Sequence, residues 1–499
     1  MHSVPYGRLA VFAFGFYYLT LAGYRLLFHP LRKFPGPKLA ALSDIWLGYV
    51  TFCGRPHYIT QDLHEKYGPI VRVAPNQLSF ATPSSYQDIY ARSGSRKIFT
   101  KTEFYDFIGG LHTKRGLGTE RSPEENIRKK KLVAPLFSAQ ALLGVESIFQ
   151  HQLNKFMQRV EKEGGTAEGV DITEWSTYLA FDIAGQFVLG QDFGAVDSGS
   201  RHRWISLILD NAAGAAIIEI ARRFYILRFL IKTLLAERAL KVCRQHIQLT
   251  IEKMTSASKE ASKSGQPRTV LTYLVEQQVP AGISDEEITA NATELILGAA
   301  EGVSTSFTII MYYLLTTPRV LELLEREIRE AFEKFDEIVV TSVTNLPYLT
   351  AVIKEGLRIC PANPCGWPRY SPGEDIDGFY IPEGTQVSTH PWTLCRSPVY
   401  FANPDEFRPE RWDDSDPSNC DNKEASQPFL LGPRQCPGQT MAWIEMRLFF
   451  AKILFLYDMK LANPKDELDP WLGKTPTYFL IGKAPLRVHL TRREESNGV

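Results

Sequence analysis

The residues best suited to chemistry lie near the C-terminal end, in Phe429-Leu430-Leu431-Gly432-Pro433-Arg434-Gln435-Cys436-Pro437-Gly438. Gly432 and Pro433 predict a tight turn. Cys436 stands just before an amphipathic helix expected over Thr440–Tyr457. There the unpaired N–H groups and the helix dipole favour a thiolate. Gly438 lets the backbone approach a large partner closely, and Arg434 brings a fixed positive charge two residues from the sulfur. The chain has seven cysteines, at 53, 243, 360, 365, 395, 420 and 436, with no C-x-x-C. An odd, scattered set argues against a disulfide framework and for a reducing compartment. With no Cys or His beside it, Cys436 cannot build a zinc or iron–sulfur site. One thiolate is, however, all the protein must supply on one face of a haem iron. The remaining cysteines read as small buried hydrophobes.

Other polar residues stand out by position. Glu355-Gly356-Leu357-Arg358 puts an acid and a base three apart on a helix, which on a surface is worth ~0.3 kcal/mol. Glu301 lies alone among Gly298, Ala299, Ala300 and Gly302. The helix that carries it is expected to begin at Ser284, with a Ser284–Glu287 capping box and Asp285 and Glu286 favouring the dipole. No proline follows until Pro318, which allows about 30 residues and roughly 45 Å. Each mid-helix glycine costs up to ~1 kcal/mol. The small residues serve either tight helix packing or something flat and wide lying against the helix.

The rest of the chain must position these groups. Its 499 residues are 44% hydrophobic and 22% charged, ordinary values that exclude disorder, collagen and coiled coil. The 56 basic and 56 acidic residues cancel, and zero net charge argues against a nucleic-acid binder. This length predicts two or three domains, or one large unit built around something. Residues 123–335 read mostly as helix. Ile70–Val73 and Leu78–Ala81 flank Pro75-Asn76 as a hairpin, and Gly378–Ile381 and Gln386–Thr389 read as strands in a proline-rich region past Pro361. The polar stretches Thr255–Gly265 and Asp413–Ser426 read as a solvated helix end and a surface loop. Leu9–Tyr24 is uncharged for 16 residues, roughly 24 Å as a helix. It reads as a single-pass anchor over 1–33, extended by Leu26–Phe28 if Arg25 snorkels, with the rest of the chain cytosolic by the positive-inside rule. Phe34-Pro35-Gly36-Pro37 and Lys38 then form a stiff elbow, leaving 39–499 as the globule.

The segment Phe429–Gly438 resembles FxxGxRxCxG, the haem signature of the cytochrome P450 superfamily. Glu355–Arg358 matches its E-x-x-R, and Pro409-Glu410-Arg411-Trp412 its P-E-R-[FW]. The long helix around Glu301 resembles the one that crosses the distal haem face. The resemblance covers essentially the whole chain and is nearest to fungal, membrane-anchored members of secondary metabolism. It implies a mainly α fold with a small β region, holding haem b between the long central helix and the Cys-bearing loop. Cys436 would be the axial thiolate, and Phe429, Gly432 and Gly438 would shape its loop. Glu355, Arg358 and Arg411 would form a buried network holding that loop. Arg434, Arg369 and Lys130, with Arg128 as fallback, would face the propionates. The family often shows an aromatic or His where this chain has Asn126. The resemblance further implies a monooxygenase at the endoplasmic reticulum membrane, drawing electrons from NADPH–cytochrome P450 reductase. The run Arg128-Lys129-Lys130-Lys131 reads as a solvated helix face or as part of the reductase dock.

On the distal helix the chain departs from [AG]-G-x-[DE]-T-[TS]. Matching acid to acid puts Gly302 where the family has the threonine that serves proton delivery. A three-residue slip makes Thr305 that threonine, with Ser304 in place of the acid. The first frame is preferred, because it keeps Glu301 and the spacing to Pro318. Either Ser304, Thr305, water or a substrate hydroxyl substitutes, or the reaction tolerates a poor relay, as coupling, desaturation or rearrangement would. By resemblance the pocket draws on 104–117, 205–229, Ala299, Ala300 and Gly302, 363–366 and 476–478; Phe104, Tyr105, Phe107, Trp367, Tyr478 and Phe479 suggest an apolar, aromatic-tolerant cavity, and the small residues of the central helix leave room for a polycyclic or alkaloid-like substrate. A non-enzymatic haem-thiolate protein, or an anchored protein with an inert Cys436, stays open at this point.

Overall fold

The computed structural model describes residues 6–91, 97–108, 114–209, 269–463, 471–478 and 480–493, with isolated positions between 216 and 255. The patch at Thr255–Gly265 and most of 205–229 therefore fall outside it, as do Phe479 and the side chain of Phe107.

The centre of the molecule is the helix Asp285–Thr316, 32 residues long and so about 48 Å. Ser284 caps it, its hydroxyl accepting from Glu287 N at 3.3 Å. The expected capping box is only half made, because the Glu287 carboxylate turns to Arg128 at 2.7 Å. A charged partner outcompetes the return bond to the cap N–H. The helix is buried along much of its length and packs on Ile172–Leu189, itself buried on nearly every side. Among the described residues it is the helix long and apolar enough to cross a membrane, but 67% of its apolar window is buried, which marks a core element.

Three helices brace it. Pro318–Ala331 begins on a proline, a residue already suited to a first helical turn. Gln439–Leu456 follows the Cys436 loop. Pro347–Ile359 carries Glu355 and Arg358. The last approaches the central helix so closely that a Cβ on Gly356 would lie 2.2 Å from Ile310 Cγ1. That glycine sets the depth of the charged pair beside it.

The small β region is a five-stranded sheet in the order Ile70–Ala74, Gln77–Phe80, Gln386–Thr389, Arg369–Tyr370, Thr100–Lys101. Its hairpin and its 386–389 strand follow the expected lines, and Phe379–Ile381 pairs with Glu374–Ile376 in a separate ribbon. A second apolar cluster, including Leu78, Phe80, Tyr86 and Phe401, fills in around this sheet. The sheet matters because Lys101 and Arg369 are paired across it.

At the N-terminal end Tyr6–Leu27 is one helix with Phe12, Phe16 and Leu19 all more than 70% exposed. Arg25 donates to the Leu42 carbonyl. The elbow is docked: Arg72 N donates to Pro35 O at 2.7 Å, and a Cβ on Gly36 would sit 2.3 Å from Arg72 O. Arg72 also donates to Arg25 O at 3.0 Å. The hairpin therefore fixes the direction in which the first helix leaves the globule.

Gly356→Ala is expected to lower the melting temperature despite alanine's better helix propensity, because overpacking of this kind costs about 1–3 kcal/mol. Pairing it with Ile310→Ala should recover part of the loss, and thermal unfolding of the four proteins in that cycle measures it.

Candidate functional site

The Cys436 loop is held by its own backbone. Cys436 N donates to Phe429 O at 2.9 Å and Gln435 N to Gly432 O at 3.0 Å. Gly432 has φ +70°, and a Cβ there would lie 2.4 Å from Tyr90 O, so no other residue fits. Leu430 also sits in the left-handed region, at φ 62°, which costs a side-chain-bearing residue about 1 kcal/mol or more. Gly438 is different: its φ is ordinary and a Cβ would meet only Cys436 Sγ at 3.9 Å and Phe137 at 4.0 Å. Nothing in the polypeptide demands glycine there. A side chain would, however, stand over the sulfur.

Cys436 is exposed as a residue, yet protein surrounds its thiol closely enough that desolvation raises its pKa above the usual thiol value. The Gly438 N–H and the Lys130 ammonium oppose that rise. Arg434, expected to lend the sulfur its charge, does not face it. Its guanidinium donates to the carbonyls of Glu120 at 2.7 Å and of Arg121 and Ser122 at 3.3 Å. Lys130 is the cation at the loop, donating to Pro433 O at 2.9 Å and Gln435 O at 3.4 Å. It is therefore held by loop carbonyls rather than grouped with Arg369.

A third cation, Lys101, stands with Arg369 and Arg434. Lys101 is buried, bonded to Gly118 O, and lies over the Tyr105 ring at 4.8 Å. Arg369 is 2% exposed, donates to the Tyr105 hydroxyl and lies 5.2 Å from the Tyr90 and Tyr105 ring centres. Burial and then the Arg369 charge pull the Arg434 pKa down to about 10. Burial, Arg434 and Arg369 hold Lys101 well below an ordinary lysine. Among the described residues no carboxylate is within salt-bridge distance of these three. Clustered, desolvated and without a paired anion, they are costly for the protein alone. They fit a flat group that carries two carboxylates. Tyr105, expected in the substrate pocket, belongs to this cluster and stacks on Trp367.

The run Arg128–Lys131 is not a free basic face. Arg128 pairs with Glu125 and Glu287, Lys129 is buried against Glu120 at 2.6 Å, Lys130 holds the loop, and Lys131 alone is exposed.

On the central helix Gly298 and Gly302 share a stripe, and a Cβ on either would meet nothing within 4 Å. Tight helix packing, one of the two readings of these glycines, does not explain them. Glu301 is buried, with Oε2 3.5 Å from Lys483 Nζ and Oε1 without a partner. Ser304 donates to Glu301 O at 3.2 Å. Thr305 is 1% exposed beside the stripe. A hydroxyl the sequence did not single out, Ser306 Oγ, donates to Gly302 O at 2.9 Å. Two turns before Glu301, Glu294 binds Gly116 N, Gly118 N and Thr119 N at 2.7–3.2 Å, fastening the 114–119 segment to the helix.

The charge network behind the loop is complete. Glu355 Oε1 accepts from Arg358 at 2.8 Å, Arg411 at 2.9 Å and Arg408 N at 3.0 Å, and Oε2 from Arg358 at 2.9 Å and Trp412 at 3.0 Å. The side chains of Glu355, Arg358 and Arg411 are fully buried. Arg411 finds a second acid in Asp421. The expected surface loop Asp413–Ser426 thus supplies a buried counter-charge, balancing two arginines with two carboxylates.

The sequence profile described as Cytochrome P450 matches residues 35–488. The chain is a cytochrome P450. A cytochrome P450 monooxygenase, ORF9, of Penicillium roqueforti (strain FM164) is 38% identical over 95% of this chain and 91% of that protein. A cytochrome P450 monooxygenase of Botryotinia fuckeliana, BOT4, is 37% identical over 89% and 84%. The averantin hydroxylase of Dothistroma septosporum (strain NZE10 / CBS 128990) is 33% identical over 95% and 89%. A crystal structure of the cytochrome P450DA heme domain superposes with a TM-score of 0.72 at 20% identity, over 88% of this chain and 94% of that one, a likeness of fold. This P450 is accordingly an oxidoreductase of the monooxygenase type, grouped with fungal enzymes of secondary metabolism. Its family carries haem held by a cysteine thiolate and works with a redox partner.

Glu355→Gln is expected to cost about 3–5 kcal/mol, since it leaves buried Arg358 and Arg411 under-compensated. Asp421→Asn should cost less, because Arg411 keeps Glu355. Denaturant unfolding of the haem-loaded protein, with the Soret absorbance as probe, ranks the two.

Proposed function

We propose that this P450 binds haem b through Cys436 and oxidises a small apolar substrate, of polycyclic or alkaloid-like type, with dioxygen. NADPH–cytochrome P450 reductase would supply the electrons. The observation that carries the haem assignment is the cluster of buried Arg369 and Lys101 with partly buried Arg434. Among the described residues it has no carboxylate within salt-bridge distance, and beside the turn that carries Cys436 it suits two carboxylates such as the haem propionates. Haem held there, with Cys436 as its thiolate ligand, would supply oxygen activation. The chain's own residues do the rest. The Glu355–Arg358–Arg411–Asp421 network ties the 395–421 segments to the Pro347–Ile359 helix, from which the Cys436 loop would follow. Gly438 keeps the sulfur's face uncovered, and Gly298 and Gly302 leave the distal helix without bulk. Glu301 carries the acid, and Thr305 and Ser306 carry hydroxyls beside the Gly302 turn.

Oxygen insertion is favoured over coupling, desaturation or rearrangement, because hydroxyls still flank Gly302 and because one relative is named a hydroxylase. The glycine at 302 favours the second reading to the extent that its missing hydroxyl is not replaced. We place the enzyme at the endoplasmic reticulum with 1–33 as anchor, 34–38 as elbow and 39–499 as cytosolic catalytic domain, a reading supported by the exposed aromatic and aliphatic side chains of the first helix. With three of the four cations at 128–131 already engaged, Lys131 is the member of that run left to steer a reductase.

The reduced wild-type protein under carbon monoxide is expected to give the red-shifted Soret band of thiolate ligation, and Cys436→Ser to lose it. NADPH oxidation with reductase across a panel of apolar polycycles separates an enzyme from a haem-binding protein without turnover. Gly302→Thr is expected to fold with an unchanged or slightly higher melting temperature, since nothing meets its side chain and threonine is the better helix former by a few tenths of a kcal/mol. A higher ratio of product to NADPH would then show that proton delivery was limiting, and lost substrate binding that Gly302 makes room for substrate.

A further inference from the structure

The C-terminal turn that carries Lys483 is pinned on both sides. A Cβ on Gly482 would lie 2.4 Å from Pro476 O and 2.7 Å from Thr475 O, and Gly482 N donates to Thr477 Oγ1 at 3.1 Å. Beyond Lys483, Thr173 Oγ1 donates to Ala484 O at 2.8 Å and Leu486 N to Asp171 Oδ1 at 3.2 Å. So placed, Lys483 reaches the central helix. Its ammonium donates to Ser304 Oγ at 2.9 Å and lies 3.5 Å from Glu301 Oε2, with the two charged side chains only 10% and 5% exposed. The other carboxylate oxygen, Oε1, is buried and unpartnered.

The direction of this contact matters. Successive helix residues point about 100° apart. Glu301 and Ser304, one turn apart, share a flank, while Gly298 and Gly302 share the open stripe. Lys483 thus draws the one acid of this segment off the stripe. No side chain at 302 would block its return, and an acid with one orphaned oxygen gains by turning toward polar company. We propose that Lys483 is a positioning residue of the oxidation site: it holds the Glu301 side chain on the flank, and so keeps it off the face presented to substrate and cofactor, with the Thr305 and Ser306 hydroxyls as that face's polar groups. This deepens the functional reading above and rests on it. It also explains how the chain keeps an acid in the distal helix and still presents an apolar surface. The pair Lys483–Glu301 couples the C-terminal turn to the central helix, so movement of that turn releases the acid toward the stripe.

The test uses the full-length, haem-loaded protein, reduced and bound to carbon monoxide, whose C–O stretching frequency in the infrared reports the charge next to the distal face. Lys483→Met is expected to shift the band or add a second one, as Glu301 turns toward the stripe. Lys483→Arg, which keeps the charge, and the double variant Glu301→Gln with Lys483→Met, which leaves no charge to move, are expected to stay at the wild-type frequency. A Lys483→Met protein with a lower melting temperature but an unmoved band overturns the proposal and leaves a purely structural ion pair. Should Lys483→Met lose its haem, the double variant decides: a wild-type band upholds the proposal, a shifted one overturns it. A wild type without any thiolate-type carbon monoxide signal overturns the functional reading together with this one, whereas an unmoved band in Lys483→Met sinks this proposal alone.

Discussion

Burying the guanidinium groups of Arg358 and Arg411 is the constraint around which the proximal half of the molecule is organised. Two such groups without contact with water are tolerable only when their donors are met. Here Glu355 takes three side-chain donors and two from Arg408 N and Trp412, Asp421 takes a further one, and the carbonyls of Cys395, Ala402, Asn403 and Glu406 take the rest. Those acceptors come from a helix, from the 395–406 segment and from the 409–421 turn. The network therefore sets these irregular segments relative to one another. Dense proline and few helices would otherwise leave this region poorly defined.

Close backbone approaches do the same work on a shorter scale. Gly356 lets the helix that bears Glu355 sink against Ile310, and Gly432 lets the Cys436 turn rest on the Tyr90 carbonyl. Gly36 presses the N-terminal elbow onto Arg72. At each of these a methyl group would overlap an existing atom. Gly298, Gly302 and Gly438 are of another kind, because no protein atom crowds them. The first group makes the fold compact, and the second keeps one surface of it bare. That division separates glycines that a packed atom demands from those that none does.

Charge is likewise divided. Most cations near the site have a specific acceptor: Arg128 and Lys129 pair with acids, and Lys130 binds the loop carbonyls. Arg369, Arg434 and Lys101 instead crowd one another, with no carboxylate within salt-bridge distance among the described residues. On the distal side Lys483 faces Glu301. The balance of charge over the whole chain, zero in sum, conceals one local cluster of like charge at Arg369, Arg434 and Lys101.

The sequence by itself determined the family, the E-x-x-R and P-E-R pair, the long helix around Glu301, the hairpin and the mainly α class. Each is written in local spacing or in a motif whose residue types leave few alternatives. What it left open depends on contacts between residues far apart in the chain. Asp421 lies in a polar stretch that reads as surface, and only its meeting with Arg411 makes it a buried counter-ion. Lys101 carries no local signal and joins Arg369 because their strands pair. Half of the Ser284–Glu287 capping box is lost because Arg128 arrives from another helix. The four basic residues at 128–131 look alike in the sequence, yet a helix turns them to different neighbours, and three of them are consumed. The partner of Glu301 comes from 182 positions downstream. Local pattern predicts which way a side chain points along its own element; which charge waits there is decided only when distant elements pack.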